Sequence, residues 1–80
     1  MAGSRPEKAF GRVLREIRQK RGLSQEQLGF ESGYHRTYIS LLERGLKSPS
    51  LGTIMSLATA LEIPATEMIR RVERHVGKER

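Results

Sequence analysis

Apolar residues recur along this 80-residue chain at spacings of three and four, and no strand-like alternation of apolar and polar positions persists. Phe10, Val13, Leu14 and Ile17 fall at i, i+3, i+4 and i+7 behind Pro6, a residue suited to a first helical turn. They predict a helix from about Pro6 to Lys20 or Arg21, with Gly22 at its left-handed end. Ser24 and Gln27 have the spacing of a capping box, which opens a second helix from about Gln25 to Ser32. That helix buries Leu28, with Leu23 stapled in front of it, and Gly33 breaks it. A third helix starts at His35 or Arg36, turns Ile39 and Leu42 inward, and runs to Arg44, with Gly45 as its stop. After a turn over Leu46 to Pro49, Ser50 caps a fourth helix expected to bury Leu51, Ile54, Leu57, Ala58 and Leu61. Ile63-Pro64 restarts the chain into a fifth helix carrying Met68, Ile69, Val72 and Val76 at i, i+1, i+4 and i+8.

The pattern therefore predicts an all-α fold: one compact domain of five short helices over residues 6–76, with a flexible leader at 1–5 and a fraying tail at 77–80. No internal repeat or low-complexity tract is present. A chain this short buries only about 60% of the surface its unfolded form exposes, so each packing contact counts.

Charge narrows the function. Fifteen Lys and Arg face nine Glu and no Asp, a formal net charge of +6, and eleven of the fifteen cations are Arg. Residues 1–22 hold seven cations against two Glu. Such a balance suits a polyanionic partner, and arginine suits bidentate contact with phosphate or guanine. With no Cys, there is no disulfide framework and no thiolate metal site, which fits a reducing cytoplasm. No stretch has the apolar length of a membrane span. The two histidines, His35 and His75, lie on different helices without a metal-ligand partner in sequence, so no catalytic residue, metal or cofactor is expected.

The second and third helices are each about two turns long and meet at Gly33, which can take the positive φ of a tight turn. Gly29, four residues earlier, is small enough to let them approach. Inward Ile39 and Leu42 leave Arg36, Thr37, Ser40 and Leu41 on the opposite face. A helix–turn–helix places such a second helix in the DNA major groove, with its first turn on the base edges. Over LSQEQLGFESGYHRTYISLLERGLKSPSLGTI, the chain resembles the lambda-repressor/Cro-like helix–turn–helix regulators of the XRE family. In that family Leu-Ser/Thr-Gln-Glu opens the second helix, Gly makes the turn, Ile-Ser-x-x-Glu-x-Gly runs through the third, and Pro-Ser/Thr-Leu opens the fourth. The resemblance extends over about residues 8–70. The HRTYIS string is also similar to that of the small dimeric controller proteins of restriction–modification systems. Gly29 and Phe30 depart from the family, which usually has alanine and a polar residue there. Phe30 either fills a gap beside the third helix or extends a protein-contact surface.

The resemblance implies a sequence-specific regulator of transcription acting by occupancy on double-stranded DNA; neither a membrane nor a small-molecule partner is expected. It makes Arg36, Thr37, Ser40 and Leu41 the base-contacting residues, where Arg36 could fork onto guanine O6 and N7. Gln25, His35, Tyr38, Arg44, Lys47 and Ser48 become phosphate contacts, which fix register without reading sequence. Glu43 sits at the end of a helix unfavourable to an acid, and the family pairs it with an arginine of the first helix, here Arg18. The resemblance further implies a homodimer through Met68, Ile69, Val72 and Val76, on a palindromic operator with half-sites about 34 Å apart. The alternative is that the fifth helix only closes a monomer core. A different class of function, an antitoxin or adaptor-type protein-interaction module, would use Phe30 and Leu41. A membrane-surface role would need the apolar stripe of the first helix, which the core requires.

Overall fold

The computed structural model describes residues 5–78 as five α-helices: α1 (Arg5–Lys20), α2 (Gln25–Ser32), α3 (Arg36–Glu43), α4 (Leu51–Leu61) and α5 (Ala65–Lys78). α1 lies between α5 and α3, α2 packs on α3 and α4, and α4 returns to α5. The leader expected at 1–5 falls outside the described residues except for Arg5, which is helical. α5 continues through Gly77 and Lys78, into the stretch expected to fray.

Helix starts follow the expected chemistry. Ser24 Oγ accepts from Gln27 N, and Ser24 N donates to Gln27 Oε1, closing both arms of the capping box. Ser50 Oγ accepts from Thr53 N at the start of α4. The four interior helix ends share one device, in which an amide two or three residues past the last helical residue donates back to a carbonyl five residues earlier. Leu23 N donates to Arg18 O, Tyr34 N to Gly29 O, Leu46 N to Leu41 O, and Ile63 N to Ala58 O. Each needs a residue in the left-handed region just before it. Glycine supplies it three times, with φ of 86° at Gly33 between the two central helices, and Glu62 supplies it after α4 with φ 58°.

The core is one cluster in which Val13 and Leu14 of α1, Leu28 of α2, Ile39 and Leu42 of α3, Leu57 and Leu61 of α4, and Met68 of α5 are fully buried. The expectation for Leu51 fails: it is 76% exposed. Thr53 goes inward instead, and Ile54 is only partly covered. The apolar arc of α4 is wider than its core-facing side, so Leu51 and Met55 fall on its outer edge. The dimer surface expected on α5 needs a matching correction. Met68 is wholly buried and Val72 nearly so, both within their own core, whereas Ile69, about 100° around the helix from Met68, is exposed.

Two glycines missing from a simple pattern of apolar residues set the spacing of the helices. A Cβ on Gly29 would lie 2.5 Å from the carbonyl oxygen of Tyr34, so the turn into α3 passes directly over α2. The alanine usual here in the family would clash in this packing. Gly11 has the same role between α1 and the end of α3.

Candidate nucleic-acid interface

α3 is held from three sides. Ile39 and Leu42 are fully buried beneath it. At its start, the Tyr34 hydroxyl donates to Thr53 Oγ1 (3.3 Å), and Thr53 Oγ1 lies 2.9 Å from Ser50 Oγ. The turn before α3 is thus tied to the first turn of α4, and the one buried threonine of α4 has its polar atom satisfied. Sequence periodicity missed Tyr34 and Thr53, because a hydroxyl bond between two partly apolar residues leaves no trace in spacing.

At its other end, the expected pair forms. Arg18 Nε donates to Glu43 Oε2 (2.6 Å) and Arg18 Nη2 to Glu43 Oε1 (3.0 Å), a two-pronged contact. The side chains are 10% and 3% exposed. Arg18 Nη1 also donates to Leu23 O (2.8 Å), and Gln25 Nε2 donates to Glu43 Oε1 (3.0 Å). One guanidinium therefore joins α1, the approach to α2 and the last residue of α3. The glutamate is unfavourable to the α3 dipole but is neutralised where it stands.

With the inner face fixed, the first turn of α3 is presented outward. Arg36 and Thr37 are exposed, and Ser40 and Leu41 are partly covered on the same side. Arg36 Nη1 stands 3.9 Å from Glu26 Oε1 of α2, with both side chains mostly in solvent. Such a pair is weak enough to yield to another acceptor.

The expected phosphate residues take several positions. Gln25 opens α2 with its amide nitrogen donating to Glu43, which leaves its second amide hydrogen and the free N–H groups of the helix start as the donors for an anion. His35 caps α3: its Nδ1 accepts from Thr37 N (3.0 Å), which fixes the proton of a neutral ring on Nε2. Tyr38 is half-buried, its ring 5.2 Å from that of Tyr34 and tilted by 49°. Arg44, Lys47 and Ser48 are exposed at and beyond the end of α3. Phe30 is 88% exposed on the outer side of α2, so it fills no gap beside α3.

Among the described residues, no cluster of His, Cys, Asp and Glu could hold a metal ion, and no helix is long and apolar enough to cross a membrane.

The family profile HTH_3, described as helix–turn–helix, matches residues 14–68 of the chain. The control protein C.BamHI of Bacillus amyloliquefaciens is 43% identical over 61 residues, covering 75% of each chain. The crystal structure of the restriction–modification controller protein C.AhdI from Aeromonas hydrophila superposes with a TM-score of 0.75 at 49% identity, over 76% of this chain and 92% of that one. C.Esp1396I, crystallised as a tetramer with its natural 35 base-pair operator, gives a TM-score of 0.81 over 89% of this chain and 93% of its own; at 24% identity, that likeness shows the fold. With these relatives and this arrangement of helices, the chain belongs to the helix–turn–helix family of DNA-binding transcriptional regulators, in its lambda-repressor-like form.

Proposed function

We propose that the protein is a homodimeric, sequence-specific reader of a palindromic operator in the cytoplasm, acting by occupancy and without catalysis. The observation that carries the reading is the fixing of α3 from inside, by Ile39, Leu42, Tyr34–Thr53 and Arg18–Glu43, while Arg36 and Thr37 stay exposed at its first turn. In this reading α3, about residues 35–44, enters the major groove. Arg36 forks onto a guanine, Thr37 and Ser40 bond to either base type, and Leu41 meets a thymine methyl. Gln25, His35, Tyr38, Arg44, Lys47 and Ser48 hold the flanking phosphates. The likeness to controller proteins supports a role of that kind on an operator near the protein's own target genes.

We place the dimer on the side of the molecule where apolar surface is left over. Leu51, Met55 and Ile69 stand around a groove of about 420 Å³ between α4 and α5, with Ile54 and Ala65 in its floor. Met68 and Val72 serve the monomer core, so their part in the dimer is to shape α5 rather than to touch the partner. Val76, half-buried, lies further along the same helix.

Selection from a random pool of duplex DNA at physiological salt, with sequencing of the retained molecules, tests the reading. Two inverted half-sites centred about 10 base pairs apart are the expected result. A single half-site would remove the dimer, and no enrichment would remove the DNA function. In that last case exposed Phe30 favours the second reading, a helix–turn–helix module that binds a protein partner.

A further inference from the structure

Four cations outside the reading surface share one groove. Lys8, Arg12 and Arg15 stand at i, i+4 and i+7 on the outer side of α1, and Arg44 follows the last residue of α3. Together with Glu43 they line a groove of about 220 Å³. Glu43 is the one acid lining it, and both its oxygens are already engaged by Arg18 and Gln25. Among the described residues, none of the four cations lies within 4.0 Å of a carboxylate, whereas Arg18, Arg21, Arg36, Arg70, Arg71 and Arg74 all do. The carbonyl end of α3 abuts α1 at Gly11 and would attract a cation. It does not account for four, because like charges spaced i, i+4 on one helix repel.

The groove is continuous with the edge assigned to phosphates. Gly45 passes so close to α1 that a Cβ there would lie 2.7 Å from Lys8 Cγ. The chain then leads directly into Lys47 and Ser48. From Lys8 to Arg15 the helix rises about 10 Å, at ~1.5 Å per residue. Along the duplex axis one strand of B-DNA presents a phosphate about every 3.4 Å, so the strip spans roughly three phosphate intervals. The apolar side of α1 is buried in the core, which leaves this face nothing to insert into a lipid surface.

We propose that Lys8, Arg12, Arg15 and Arg44 form a second contact with duplex DNA, binding the sugar–phosphate backbone beyond the base pairs that α3 reads. This inference rests on the proposed operator reading. The strip adds affinity and salt dependence without adding sequence preference, and its contribution depends on how far the duplex extends past the half-site.

The test uses the full chain and the selected operator in two lengths. One duplex ends at the outer edge of each half-site, and the other carries about ten further base pairs on both sides. Binding is followed by fluorescence anisotropy across a series of salt concentrations. The variant is Arg12→Gln/Arg15→Gln, at two exposed positions, with Lys8 kept because it packs against Gly45. Lys20→Gln/Arg74→Gln removes the same charge from the far side of α1 and from α5. Thermal melting checks that both fold.

The wild type should bind the longer duplex more tightly. On that duplex the Arg12/Arg15 variant should show a salt slope shallower by about 2, since each phosphate contact contributes roughly 0.9. It should lose most of the length-dependent gain and rank mutated operators as the wild type does. The Lys20/Arg74 variant should keep that gain. Equal loss on both lengths, or equal loss in both variants, would mean diffuse attraction by net charge and would overturn the strip. A wild-type slope in the Arg12/Arg15 variant would overturn the strip alone. A wild type indifferent to duplex sequence would overturn the operator reading and the strip together.

Discussion

A Cβ on Gly11 would lie 2.5 Å from the carbonyl oxygen of Glu43, closer than a Cβ sits to a non-bonded backbone atom of another element. The middle of α1 thus rests on the end of α3, and the position of α3 depends on a hydrogen atom in another helix. Gly11→Ala should push the two apart. Overpacking of this kind costs about 1–3 kcal/mol, and in a domain of this size each kcal/mol lowers the melting temperature by roughly 4–8 °C. The helix propensity of alanine works in the opposite direction by ~1 kcal/mol at most. Gly77→Ala, in a helical position with open space around it, provides the control and should melt no lower than the wild type. Equal melting of Gly11→Ala and the wild type would show that α1 and α3 separate freely.

Removing the guanidinium of Arg18 leaves the buried Glu43 carboxylate with Gln25 as its remaining side-chain partner. Losing one member of a buried pair costs about 3–5 kcal/mol. Arg18→Ala should therefore lower the melting temperature sharply and weaken operator binding even below the melt, because α3 is no longer gripped at its end. Arg18→Lys, which keeps the charge but not the fork, should fall in between. A melting temperature and an affinity both unchanged in Arg18→Ala would rule out any orienting role for the pair.

The extent to which this was legible from sequence follows from what each signal encodes. The five helices were readable because their caps are local: Ser24, Ser50 and Gly33 act on neighbours within a few residues. The Arg18–Glu43 pair was reached through resemblance, since nothing in a single sequence relates positions 25 residues apart. Leu51 misled because an apolar residue at a helix start is ambiguous by nearly half a turn, and Thr53, polar by type, took the inward place once Tyr34 could bond to it. For the same reason Met68 and Val72 looked available on α5 until α1 and α4 were seen to cover them.

Arg36 is exposed and held only loosely by Glu26, so its removal should leave the fold intact. If it forks onto a guanine, Arg36→Ala should cost roughly 1–3 kcal/mol on the best operator and relax preference at a single position of each half-site. Repeating the random-pool selection with the variant measures both. A uniform loss on all sequences would reassign Arg36 to the backbone.

Glu67 gathers three arginines of its own helix, with Arg71 Nε donating to Oε2 at 2.9 Å and Arg70 Nη1 to Oε1 at 2.6 Å. The hydrogen bond from Arg71 holds its carboxyl below the usual glutamate value; partial desolvation opposes this, and the charges of Arg70, Arg71 and Arg74 reinforce it. A carboxyl with a folded pKa below its unfolded one stabilises the protein above the unfolded value, about 4.3. That contribution is lost as pH falls through the folded value. Glu67→Gln should therefore melt below the wild type at pH 7, and the gap should narrow as the pH is lowered below the ordinary glutamate value. A gap that stays constant across this range would mean that Glu67 acts by packing alone.

Leu51, Met55 and Ile69 are 76%, 54% and 39% exposed on adjoining edges of α4 and α5, more apolar surface than the monomer core can use. A second copy burying this surface about a twofold axis would set two α3 helices side by side for inverted half-sites. A charge at the centre of that contact should separate the copies without disturbing the core, because these side chains leave it untouched. Sedimentation equilibrium should show the wild type shifting from monomer to dimer with concentration and Met55→Glu remaining a monomer, with circular dichroism showing the same helix content for both. The melting temperature of the wild type should rise with protein concentration and that of the variant should not. The variant should still bind a single half-site, at the lower affinity of one α3. A dimer that survives both Met55→Glu and Ile69→Glu would move the interface to another face, and the inverted repeat would then have to be explained from there.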